Sequence, residues 1–212
     1  MDHNQDRARD LLPAIIITVL SMIQALALEI YWTKIGESQF LWLGGWDAVI
    51  GWMQLLVVFL GMLLIWILYI GVVLRFSWVP TMEDTLIPFY IGLLEFIMID
   101  LMGPGFLGPW FLLLAAIFSV STWANHMVMR QARGDPANDY FFKHYAPSGW
   151  RDYIGSIVVI ATLALLGVIL WMNDAPHVLT VIAMVFALMA VARQFVQARR
   201  YWMHSMIAKN EG

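Results

Sequence analysis

Six stretches of the chain, about 11–32, 48–74, 85–102, 109–129, 152–172 and 177–198, are almost continuously apolar, and charge, glycine and proline collect in the segments between them. At about 1.5 Å of rise per residue, each stretch is long enough, or nearly so, to cross a hydrocarbon core as a helix. The pattern predicts an all-α, polytopic integral membrane protein, a single domain over 1–212 with six transmembrane helices. The polar segment MDHNQDRARD precedes the first run and no small-residue cleavage site follows it, so the first helix is expected to be retained.

The segments between the runs differ in kind. The run MGPGFLGP at 102–109 predicts a tight turn that leaves the third and fourth helices adjacent and antiparallel. The segment 33–47, TKIGESQFLWLGGWD, is expected to lie on or dip into the interface, with Gly44 and Gly45 flanked by Leu and Trp. The fourth inter-helix loop, 130–151, is the longest, and its mixture of aromatic and charged residues near Asp139–Tyr145 predicts a short interfacial helix. Trp32, Trp42, Trp46, Trp52, Trp110 and Trp171 map to one boundary and Trp78, Trp150 and Trp202 to the other, as interfacial belts do.

Charge then orients the bundle. With the N-terminus inside, Arg7, Arg9, Arg75, Arg130, Arg133, Lys143, Arg151, Arg193, Arg199, Arg200 and Lys209 all fall on one side and only Lys34 on the other. Short loops obey the positive-inside rule best, so both termini are expected to be cytoplasmic, in a cell membrane of the bacterial inner-membrane type. Arg130, Arg133, Lys143, Arg151, Arg199 and Arg200 are then candidate contacts to lipid headgroups, and Arg193 a residue snorkelling to the inner boundary. Nucleic acid is excluded as a partner, since the basic residues serve orientation; the bilayer is the expected partner, together with other copies in a homo-oligomer or a larger membrane complex. With 61% apolar residues the chain has no prospect of a soluble fold, and with no cysteine it has no disulfide or thiolate chemistry.

Small and weakly polar residues recur at helical spacing. Ala14, Thr18, Ser21, Ala25 and Glu29 share an arc of roughly 80° on the first helix. Similar stripes are Asp47, Gly51, Gln54 and Gly61; Ala115, Ser119, Thr122 and His126; and Thr180, Ala183, Ala187, Ala190 and Gln194. Close helix packing is the ordinary meaning of such stripes.

Intramembrane acids ask for more. Glu95 lies about ten residues into the third run, near its middle, where an ionised carboxyl costs on the order of 3 kcal/mol to insert. It is a candidate proton or cation site; the structural alternative is a neutral acid bonded to a backbone carbonyl or to Gln54. Glu29 and Asp100 reach similar heights near the outer ends of their helices, and with Asp47 they suggest a ring of carboxylates at an outer mouth. His126 is a candidate relay toward the acidic pair Glu83 and Asp84.

No HExxH pair, paired histidines for haem, GxSxG elbow or phosphate-binding glycine loop occurs, so no catalytic residue, metal site or cofactor is expected, and enzyme chemistry is the weaker class. The leading expectation is a channel or transporter for a small cation or proton that uses Glu95, Glu29, Asp100, Asp47, Gln54 and His126. The alternatives are a non-catalytic membrane subunit that docks a partner through its small-residue faces, and a small-molecule-binding subunit of a larger importer. A cavity reaching Glu95 would favour transport; a dry Glu95 and a small-residue groove facing lipid would favour assembly.

Overall fold

The computed structural model describes residues 3–78, 81–144, 150–172 and 177–207. They form seven helices: α1 (His3–Glu37), α2 (Gly45–Arg75), α3 (Met82–Asp100), α4 (Leu107–Arg133), the short α5 (Asp139–His144), α6 (Trp150–Met172) and α7 (His177–Ile207). Among the described residues, five segments are long and apolar enough to span a membrane: Asp10–Glu37, Gly45–Arg75, Pro104–Arg133, Tyr153–Met172 and His177–Arg200. The protein is an all-α, multi-pass membrane protein. α3 is not one of the five, because its 19 residues carry Glu83, Asp84, Glu95 and Asp100.

Helices outrun the apolar stretches that announce them. α1 continues to Glu37, a 3₁₀ turn follows at Gln39–Leu41, and α2 begins at Gly45, so the expected 33–47 loop is largely helical. The reason is that hydrocarbon thickness limits the apolar stretch, whereas a helix end in water keeps its hydrogen bonds and continues with polar residues. Gly44 and Gly45 make the sharp entry into α2 with φ of 77° and 81°, a left-handed conformation that only glycine adopts cheaply.

The outer faces of the helices are apolar: Leu11, Ile15 and Met22 of α1, Leu56 and Leu63 of α2, Ile157 and Leu165 of α6, and Ile182 and Met189 of α7 are all exposed. In water such a surface would aggregate; in hydrocarbon it is solvated. The interior is built from Leu20, Leu55, Ile91, Ile99, Phe111, Leu163 and Met184. Trp110 belongs to it as well, and Trp78 to a second cluster with Phe76, Val128 and Ala132, contrary to their expected places in the belts; the Nε1 atoms of both are buried without a partner. Trp32, Trp42, Trp46, Trp52 and Trp171 are exposed.

The most extensive packing joins α4 to α6 and α2 to α7, while α1 lies against α3, and α3 against α4. Glycine sets the closest approach. A Cβ on Gly108 of α4 would stand 2.6–2.7 Å from Trp171 backbone and side-chain atoms, and one on Gly167 of α6 would stand 3.1 Å from the Gly108 carbonyl oxygen. Of the four small-residue stripes, the one on α7 packs inward through Thr180, Ala183, Ala187 and Ala190. The stripe on α2 buries Gly51 and Gln54, that on α4 is divided, and the α1 stripe faces outward at Ala14, Thr18, Ala25 and Glu29.

The expected helix in the fourth loop is present as α5; Tyr145 lies outside the described residues. A buried asparagine fixes its approach. Asn138 Nδ2 donates to the carbonyl oxygens of Ser77 and Ala132 at 2.6 and 2.7 Å, and its Oδ1 accepts from Ser77 N at 3.0 Å. This ties the α2–α3 connection to the α4–α5 connection and holds Phe141 and Phe142 of α5 against Phe76.

Candidate functional site

Glu95 sits on the buried face of α3, 13 residues after Met82 and five before Asp100, and is 2% exposed. Its Oε2 accepts a hydrogen bond of 2.8 Å from Gln24 Nε2 of α1, and its Oε1 is buried with no partner. The local sequence explains the meeting. Gly92, three residues before Glu95, offers no side chain, and Ile23 of α1 presses into the space a Cβ would fill, which brings the neighbouring Gln24 within reach.

Glu95 lines a cavity of about 420 Å³ enclosed by α2, α3, α4, α6 and α7 and bounded at one end by α5. One face of α4 forms its long wall: Leu114, Ile117, Phe118, Ser121, Thr122, Asn125, Met129 and Arg133, roughly 28 Å of helix at the standard rise. Gly61, Met62 and Leu64 of α2 and Val159 of α6 add apolar surface, while Tyr153, Ser156, Gln194 and Gln197 add hydrogen-bonding groups. Arg133, Arg193 and Gln197 of the wall are exposed side chains. The Arg133 guanidinium stands over the Phe142 ring at 5.0 Å, and Arg75 stands over Phe141 at 3.8 Å. Gly155 of α6 leaves room for Arg193, whose Nη2 would be 2.7 Å from a Cβ there.

A smaller cavity of about 60 Å³ adjoins, sharing Ile65, Leu68, Ser121 and Asn125 with the first and lined also by Tyr69, Trp78 and Asp84. Asp84 is eleven residues before Glu95, which places the two acids about 16 Å apart along α3 and only about 20° apart around it. Asp84 Oδ2 accepts from Thr81 N at 2.8 Å and from Thr81 Oγ1 at 3.2 Å, capping the helix, while Oδ1 is buried and unpartnered. Glu83 beside it is exposed. The two acids expected to act as a pair therefore face different surroundings.

The remaining expected residues are dispersed. Gln54 is buried, but its Oε1 accepts from Gly103 N at 3.1 Å, so it anchors the turn between α3 and α4 and is not the partner of Glu95. Asp100 is exposed and pairs with Lys34, whose Nζ lies 3.9 Å from Oδ1 and donates to the Asp100 carbonyl oxygen at 2.6 Å. Glu29 and Asp47 are exposed. Among the described residues no three His, Asp or Glu side chains converge closely enough to hold a metal ion. His126 is exposed and outside the cavity wall; its Nδ1 shares a hydrogen bond of 3.0 Å with the Tyr153 hydroxyl. Arg130, Lys143, Arg151, Arg199 and Arg200 are exposed, as headgroup contacts require.

Sequence reasoning missed Gln24, Asn125, Tyr153 and Gln194 as parts of the site, named Asp84 only as a relay target paired with Glu83, and assigned Arg133 and Arg193 to lipid. The signals available were an amide in the apolar run 11–32 and the spacing of Thr81 and Asp84, which is that of a capping box. No protein-family model, curated protein or solved structure matches the chain.

Proposed function

We propose that this protein is a six-span transporter of the cell inner membrane, with both termini cytoplasmic, in which Glu95 binds and releases a proton at the buried end of the cavity. The observation that carries the reading is a membrane-embedded carboxyl that lines a cavity and keeps one oxygen unpartnered. Such a group can exchange a proton with any water admitted, and intramembrane carboxyls of transporters serve as relays. Gln24 of α1 faces Glu95 directly; Arg133, Arg193 and Tyr153 are the other titratable or charged groups of the cavity wall, and Asp84 and Tyr69 line the adjoining chamber. A proton fits this environment better than a metal cation, because the other charged side chains of the wall are guanidinia and no acids gather among the described residues to replace a hydration shell. α3 serves as the sixth span: it is about 28 Å long and packs against α1 and α4.

The test uses purified protein in liposomes with a trapped pH-sensitive dye, an imposed pH gradient, and sodium, potassium or small organic anions supplied in turn. The parent should move protons with at least one of them, and Glu95→Gln should not, at unchanged oligomer size. Flux that survives Glu95→Gln overturns the site. No parent flux with any of these ions overturns transport and favours a membrane subunit that docks a partner helix, the reading supported by the outward-facing stripe on α1.

A further inference from the structure

The cavity has a charge pattern that the proton reading does not use. Among its wall residues Arg133 and Arg193 are the only basic ones, both are exposed, Arg133 beside Phe142 of α5 and Arg193 beside Gly155 of α6, and neither has an acidic partner among the described residues. Arginine near lipid ordinarily lies on a bare helix surface and snorkels. Here Arg133 is held over the Phe142 ring and Arg193 lies in the space that Gly155 leaves open, so both guanidinia are positioned by neighbours. Beyond them the wall is apolar, with Val57, Met62, Ile117, Phe118 and Val191, interrupted by neutral hydrogen-bonding groups such as Asn125 and Gln194.

We propose that the cavity binds a small organic anion, its planar oxyanion held by Arg133 and Arg193 and its apolar body lying along α4 toward Glu95. Guanidinium is the side chain best suited to a carboxylate or phosphate oxyanion, because its forked donors match two oxygens and it sheds water readily. A volume of about 420 Å³ lies within the range of small-molecule pockets, and apolar walls with a few placed polar groups are the usual composition. An organic cation is excluded by the guanidinia, and a bare inorganic anion would leave the apolar length unfilled. The inference rests on the transporter reading above for its purpose, since an anion that enters with a proton crosses the bilayer at lower electrostatic cost. The same oxyanion chemistry is offered by an anionic lipid headgroup, so the test separates a free anion from a lipid.

Protein in nanodiscs of zwitterionic lipid is titrated, at one pH and without a gradient, with para-fluorobenzoate, para-fluorobenzyl alcohol and para-fluorobenzylammonium, read by fluorine NMR. The benzoate should bind at least about tenfold more tightly than either of the others. Arg133→Gln and Arg193→Gln should each weaken it about tenfold, the loss expected for one charge-assisted contact. Gly155→Ala should weaken it less, by displacing only the end of Arg193. Discs that contain anionic lipid distinguish the sources: unchanged benzoate binding confirms the free anion, and abolished binding overturns it in favour of a lipid headgroup. Equal binding of the three probes, or benzoate binding unchanged in the double Arg133→Gln, Arg193→Gln variant, overturns the site. The binding assay involves no proton transfer, so it stands or falls separately from the flux assay. Benzoate binding with no pH-driven flux would remove the Glu95 proposal alone.

Discussion

The hydrogen bond between Gln24 and Glu95 joins α1 to α3 at the buried end of the cavity, and its energy can be isolated. Gln24→Met keeps the length of the side chain and removes the amide that donates to Oε2 at 2.8 Å. Since Oε1 already lacks a partner, both oxygens of a carboxyl that is 2% exposed would then be unmet. Interhelical hydrogen bonds in bilayers average about 0.6 kcal/mol and reach about 1.7. An acceptor stranded in the interior raises the cost to about 1–3 kcal/mol, and we expect roughly 1.5–2 kcal/mol for Gln24→Met. At roughly 2–4 °C per kcal/mol for a chain of this size, the thermal midpoint falls by about 3–8 °C. Glu95→Leu strands the Gln24 amide instead and should cost a similar amount. The double variant removes both ends and strands neither, so it should be less damaged than the sum of the two by about 1 kcal/mol. Tryptophan fluorescence followed through thermal unfolding in mild detergent measures all four proteins. If the two single costs add to within about 0.3 kcal/mol, the two side chains are uncoupled and the bond contributes nothing.

Other contacts give equally direct expectations. Gly108→Ala places a methyl group where Trp171 backbone atoms stand 2.7 Å away, so α4 and α6 must part; overpacking of this kind costs about 1–3 kcal/mol, and a thermal midpoint equal to the parent's would contradict the close approach. Asn138→Ala removes three hydrogen bonds of 2.6–3.0 Å at a buried position and should cost about 2–3 kcal/mol, with hydrogen exchange accelerating first in α5. Cysteines placed at the exposed Glu37 and at Ser148 report on orientation: an impermeant thiol reagent on intact cells should label Glu37→Cys and spare Ser148→Cys, and the opposite pattern would invert the topology.

The long helices were legible because an apolar run of about 20 residues has few other homes. Their ends were not, since α1 and α7 continue through polar residues that hydropathy assigns to loops. α5 was legible at Asp139 and Lys143, where charge alternates with aromatic residues. Periodicity named the faces of helices and stopped there. It put Glu95 inside the bundle but could not select Gln24 over Gln54 as its partner, because the choice depends on Gly92 admitting Ile23, a contact 69 residues apart in the chain. The small-residue stripes show the same limit: that of α7 packs inward and that of α1 faces out, and nothing in their composition separates them.

Arg133 and Arg193 show most clearly why a site of this kind hides in a membrane sequence. An arginine one to three turns from the inner end of an apolar run satisfies the positive-inside rule whether its head lies among phosphates or at the mouth of a cavity. What separates the two cases is the company it keeps. Arg133 has Phe142, delivered by α5, which Asn138 ties to Ser77; Arg193 has a glycine at position 155 on a different helix. None of these neighbours lies in the same apolar run as the arginine it positions, so the signal exists only after the helices have packed. The topology signal and the ligand signal are then carried by the same two residues, and Arg→Lys exchange distinguishes them: lysine preserves inside charge and orientation but loses the fork that matches an oxyanion. Arg133→Lys and Arg193→Lys should therefore insert normally and bind para-fluorobenzoate more weakly, and normal binding by both would return these residues to the lipid boundary.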